Sequence, residues 1–254
     1  MFDIFKKSSV IHVDAFTSNK LVYDHAPILP AGKYIPEWWK KLPAKGIDPE
    51  LGIKGRETSN MKYCAGFVDL YKKGFMIPFW DNAAIHVDRL QWKEYRETPA
   101  PGTPPDHDHP RAQYGSAFKD FHHIKILSPW IFSEKTGAEF AFTPATWSHE
   151  EHEWLRILPG VVNYKYQTTT HINCFMPIKK DPYKIIIKMG TPLVHIIPLS
   201  EKRVEVKTHL VTESEMMKYA KNYQLSYKLR KRFNQEDARD EQNSKGCPFS
   251  FFHK

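Results

Sequence analysis

The chain has 254 residues, 41% hydrophobic and 14% aromatic, with seven Trp, twelve Tyr and sixteen Phe, a composition that excludes a mainly disordered polymer and suits one large buried core. A formal charge of +8 favours anionic partners, although the positive residues are mostly scattered. No apolar run nears the roughly 20 residues needed to cross a bilayer, and Met1-Phe2-Asp3-Ile4-Phe5-Lys6-Lys7 lacks the basic-then-apolar order of a secretory signal, so no transmembrane segment and a cytoplasmic location are expected.

In chain order, residues 1–59 read as a proline-punctuated N-terminal arm packed on the body. Within it Pro36-Glu37-Trp38-Trp39-Lys40-Lys41-Leu42-Pro43 predicts a short helix between two prolines. Adjacent tryptophans point different ways on a helix, so one anchors the arm to the body while the other caps a loop or meets a ligand. Residues 60–71 have mixed polarity and suit a helix or a turn region. Strands are predicted at Phe75 to Trp80, where Pro78 implies an edge or bulge, and at 84–89, 90–96, 123–127, 130–133, 138–142, 161–176, 184–188, 194–197 and 203–211. The prolines between Thr98 and Pro110 mark a surface loop. Thr212-Glu213-Ser214-Glu215 reads as a capping box that opens a helical extension over 212–254, in which Lys228, Arg230, Lys231 and Arg232 form a basic cluster. That cluster reads as a solvated helix face, since no specific nucleic-acid motif accompanies it. Phe251 and Phe252 are too apolar for a free tail and suit docking onto the body or another subunit.

Many short strands followed by helices predict a mainly β protein with a core domain over 60–211. The expected architecture is a β-sandwich or jelly roll, with the double-stranded β-helix as one member of that class, and C-terminal helices. Cys64, Cys174 and Cys247 are odd in number and far apart, so neither a disulfide framework nor a zinc ribbon is indicated. Cys174 and His171 fall on opposite faces of a strand, which makes that cysteine structural. His149-Glu150-Glu151-His152 has its imidazoles three apart, whereas the zinc-protease helix needs four. Serine-hydrolase elbows, phosphate-binding glycine loops and dinucleotide fingerprints are absent.

Two sets of residues suit a metal. In Gly102-Thr103-Pro104-Pro105-Asp106-His107-Asp108-His109-Pro110-Arg111-Ala112-Gln113 an extended backbone puts His107 and His109 on one side, with Gln113 as an oxygen donor. Gly190-Thr191-Pro192-Leu193-Val194-His195 resembles the second cupin motif, which implies His195 as the closing ligand of that set. The pair His86-Val87-Asp88 resembles the His-x-Asp of iron and 2-oxoglutarate-dependent oxygenases. That resemblance implies Fe(II) held by His86, Asp88 and His195, with Arg203 binding the 2-oxoglutarate carboxylate.

A longer arrangement runs through Met61-Lys62-Tyr63-Cys64-Ala65-Gly66-Phe67, Gly74 to Trp80-Asp81, Ile126-Leu127-Ser128-Pro129-Trp130, Leu158-Pro159-Gly160-Val161-Val162-Asn163, Gly190-Thr191-Pro192 and Ile197-Pro198-Leu199. Over roughly residues 60 to 205 it resembles a domain-of-unknown-function family of bacteria and marine tailed phages. The resemblance implies a phage or host-bacterial source, no established activity, and often a Gln at the position of His195. Two functions from different classes are thus expected. One is a non-catalytic phage-type β-sandwich protein acting in protein binding or assembly, which would use its aromatic surface, the basic helix residues Lys228, Arg230, Lys231 and Arg232 and the apolar tail with Phe251 and Phe252 to bind a protein partner or self-associate and, if phage-encoded, reside in the host cytoplasm. The other is a non-haem iron, 2-oxoglutarate-type oxygenase.

Overall fold

A computed structural model gives the fold and describes residues 10–43, 60–96, 107–108, 114–145, 147 and 155–220. In chain order β1 (Val10–Thr17) is followed by helix α1 (Lys20–His25), a short β2 (Leu29–Pro30), helices α2 (Glu37–Lys41) and α3 (Ala65–Lys72), and strands β3 (Phe75–Pro78), β4 (Ala83–Val87), β5 (Trp92–Arg96) and β6 (His107–Asp108). The long β7 (Phe121–Glu134) leads to β8 (Phe140–Pro144), β9 (Arg156–Ile157), β10 (Gly160–Val162), β11 (Thr169–Pro177), β12 (Tyr183–Ile187), β13 (Pro192–Pro198) and β14 (Arg203–Leu210), with helix α4 (Glu213–Tyr219) after them.

The strands form three sheets, and the fold is mainly β, as expected. A six-stranded sheet runs β14, β1, β7, β11, β9, with β6 also paired to β7. A five-stranded sheet runs β10, β8, β13, β3, β2, and a three-stranded sheet runs β12, β4, β5. Alternation explains which faces meet. In β1 Ile11, Val13 and Ala15 point inward; in β7 His122, Ile124, Ile126 and Ser128 do so, and in β4 Ala83, Ile85 and Val87. These rows join Phe75, Ile77, Val194 and Ile196 of the five-stranded sheet in one continuous core that also buries Trp80, Trp130 and Tyr164.

The N-terminal segment does more than lie on the body. Val10 to Thr17 pairs in parallel with Arg203 to Leu210 on one side and antiparallel with β7 on the other, so β1 is an interior strand. It carries the alternation of a half-buried strand, which the predicted arm overlooked. Two predicted strands, 123–127 and 130–133, are one. Pro129 is tolerated because the pairing of β7 with β11 shifts register between Thr169 and His171, opposite this proline, so the ladder demands no N–H there. Conversely, the predicted strand 161–176 divides into β10 and β11. The side chain of Asn163 accepts from Lys165 N at 3.1 Å and its carbonyl from Gln167 N at 2.9 Å, an Asx turn that ends the first strand.

The mixed segment at 60–71 holds both expected forms. Asn60 accepts from Lys62 N at 2.9 Å to open a 3-10 turn over Met61–Tyr63, and α3 follows. The predicted capping box is present, with Glu215 N donating to Thr212 Oγ1 at 3.2 Å and Thr212 N donating back to Glu215 Oε2 at 2.9 Å. Cys174 is buried on the core side of β11.

Candidate functional site

The predicted ligands are dispersed by the sheet topology. His86 projects from the exposed face of the three-stranded sheet, where its ring meets Tyr95 edge-on at 5.1 Å. Asp88 lies in the turn after β4. Its carboxylate accepts from Leu90 N at 2.7 Å and Gln91 N at 2.8 Å, and these backbone hydrogen bonds hold its carboxyl below the usual carboxylate range. His195 belongs to a different sheet: it is buried in β13, and its Nε2 lies 2.7 Å from Lys73 O. Arg203, at the start of β14 on the edge of the six-stranded sheet, spends its guanidinium on Glu205. The set of His86, Asp88, His195 and Arg203 therefore does not converge. Among the described residues no group of three or more His, Cys, Asp or Glu side chains is placed to hold a metal ion. The described residues thus do not fit the iron site that the oxygenase resemblance implied.

The second ligand set is only partly described. The backbone of His107 lies in β6, paired with Lys125, inside the interval read from its prolines as loop. His109 and Gln113 lie outside the described residues, as do His149, His152, Lys228, Arg230, Lys231, Arg232, Phe251 and Phe252.

The role of His195 follows from its neighbours. Val194 and Ile196 enter the main core, so alternation turns His195 to the other side of β13, toward α3 and the ring of Tyr71 at 6.1 Å. A carbonyl only accepts, so His195 Nε2 carries a proton and donates it to Lys73 O, satisfying one of the free carbonyls at the end of α3. Burial lowers its pKa from the usual histidine value, against the opposing pull of that hydrogen bond. Gly74 completes the junction. Its φ is +70°, and a Cβ there would stand 1.8 Å from Ile196 O, so only glycine lets the chain leave α3 and enter β3 against β13.

Above this junction an aromatic layer reaches the surface. Phe67 of α3 lies 4.8 Å from Tyr71, stacks on Trp39 at 5.2 Å, and meets Trp38 at 5.9 Å and Trp147 at 5.5 Å. The two adjacent tryptophans divide as expected. Trp39 is the anchor: its Nε1 donates to Met61 O at 2.8 Å, and Lys62 Nζ sits 4.7 Å from its ring centroid. Trp38 turns outward, donating to Trp147 O at 3.0 Å with the two rings 6.2 Å apart, and they remain 42% and 41% exposed. The nearby 3-10 turn adds Tyr63, 62% exposed. Trp147 was missed by sequence reasoning, since no local pattern links it to a residue 109 positions away. Comparison with known proteins found no matching family model, no matching curated protein and no matching solved structure.

Proposed function

We propose that this chain is a non-catalytic β-sandwich protein of phage type that acts by binding a protein partner or by assembling, and that Trp38 and Trp147 form its contact patch. The observation that carries the reading is the pairing of two large rings at the surface, each with about two fifths of its area open. Trp38 has its one polar atom engaged by Trp147 O, so its exposed ring offers apolar area at little further desolvation cost. The rings rest on Phe67, which is itself stacked on Trp39, so little side-chain freedom is left to lose on contact. Tryptophans in such settings dominate interface energetics. The phage attribution rests on the turn and aromatic motifs of residues 60–205.

A photo-crosslinking residue at position 38 of the full chain tests this, expressed in a bacterial host with and without phage infection. A discrete crosslinked species, whether a second copy or one partner, is expected, and Trp147→Ala should weaken it. Absence of any crosslink overturns the reading. So does purified protein carrying near-stoichiometric iron that is lost in His195→Gln, which favours the oxygenase instead.

A further inference from the structure

The outer face of the three-stranded sheet is separate from the tryptophan patch and has a different chemistry. Register places Lys184, His86 and Lys93 side by side across β12, β4 and β5, and the next outward row is Ile186, Ala84 and Tyr95. Lys188 follows Ile186 by two residues, just past the end of β12, and is exposed. Neighbouring strands lie ~4.8 Å apart and successive outward rows ~6.6 Å apart. A row in which two lysines flank an imidazole, a row containing an open aromatic ring and a further lysine therefore follow one another across the face. Tyr95 is 56% exposed and Ile186 50%. Two adjoining hollows, ≈ 460 and ≈ 390 Å³, flank these rows and share Lys184 in their walls.

Of the described carboxylates next to this face, one is turned inward and one lies at the rim. Glu94 alternates to the inner side, where it binds Arg96 at 3.0 Å, and the carboxylate of Asp88 at the rim is held by its own turn. Among the described residues no carboxylate pairs with Lys93, Lys184 or Lys188. Lys184 and Lys93 flank His86 in one outward row, two positive charges on adjoining strands of a single face.

We infer that this face binds single-stranded nucleic acid, its phosphates set on Lys93, Lys184 and Lys188 and a base stacked on Tyr95. The face is open and shallow, which suits unpaired bases, and stacking of a base on an exposed ring between cations is the sequence-tolerant mode of single-strand recognition. The net charge of +8 assists the approach of a polyanion.

The test is fluorescence anisotropy of labelled oligothymidylate and oligouridylate with the full chain over a range of salt. The wild type should bind, and Tyr95→Ala should weaken binding about ten- to hundredfold while Tyr95→Phe retains it. Replacing Lys93 and Lys184 together by Gln should reduce the salt slope by about 1.4, at about 0.7 per phosphate contact on a single strand. All these side chains are exposed, so circular dichroism and melting should be unchanged and will identify any variant that fails to fold. Absence of oligonucleotide binding at low salt overturns the inference. Equal binding by all variants also overturns it and moves the contact elsewhere on the chain. Polyglutamate binding that displaces the oligonucleotide and is insensitive to Tyr95→Ala identifies an acidic protein as the occupant and overturns it as well.

Discussion

Removal of the His195 side chain is expected to loosen the junction between α3 and β13 without touching the main core. In His195→Ala the Lys73 carbonyl loses its donor at 2.7 Å in a place where His195 itself is 2% exposed. An unsatisfied buried acceptor costs about 1 to 3 kcal/mol, and the space left by the imidazole adds a cavity contribution of about 1 to 2 kcal/mol. A loss of about 3 kcal/mol is therefore expected, a fall of about 6 to 12 °C in Tm for a protein of this size. His195→Gln keeps an N–H donor of nearly the same reach and should lose only about 1 kcal/mol. The pH dependence gives a second, independent reading. Burial lowers the folded-state pKa of His195 below its unfolded value of about 6.5. The unfolded chain thus binds more protons in that interval, and stability rises with pH. The contribution is fully present above about pH 6.5 and is lost as pH falls through the lower folded value. Urea unfolding of wild type, His195→Ala and His195→Gln at several pH values between 5 and 8 measures both effects. Identical midpoints for wild type and His195→Ala, or an unchanged acid slope in His195→Gln, would refute the assigned role.

Further outcomes follow from other sites. Gly74→Ala combines a left-handed φ of +70° with a contact of 1.8 Å to the Ile196 carbonyl, so β13 must shift; a loss above about 3 kcal/mol is expected, seen as a large drop in urea midpoint or in soluble yield. Glu134 is 2% exposed, and its carboxylate accepts from Thr136 N and Gly137 N at 2.6 Å and from Ala138 N at 3.0 Å. Glu134→Ala should therefore cost about 3 kcal/mol, and unaltered unfolding would show that this turn closes without it. Tyr219 of α4 stacks on Phe16 at 4.2 Å. Tyr219→Ala should release α4 locally, raising amide exchange over Glu213–Tyr219 while leaving exchange in β7 unchanged.

Much of the fold was legible because its signals are local. Thr212 and Glu215 are three residues apart, and a capping box needs nothing else. The alternation in 84–89 and 184–188 was readable because a strand with one buried face must alternate, whichever strand it pairs with. The same alternation in Val10 to Thr17 was present but hidden by the prolines that follow it. Of the tryptophan patch, the division of labour between Trp38 and Trp39 was legible from helix geometry, whereas the meeting with Trp147 was not. The basic face was implicit in Lys93, Tyr95, Lys184 and Ile186, each at an outward position of its own strand, but their adjacency required the registers of β12 and β5 on β4. Sheet membership decided the remainder. His86 and His195 both lie on strands, yet one strand joined the three-stranded sheet and the other the five-stranded sheet, so that of the histidines that looked like partners in a metal site one ended on an exposed sheet face and the other in a buried junction. By itself the sequence determined the inward positions of strands with one buried face, such as β4 and β12, where burial alternates with a period of two. Which strands became neighbours was decided by the tertiary structure, since strand pairing is settled by contacts between residues far apart in the chain.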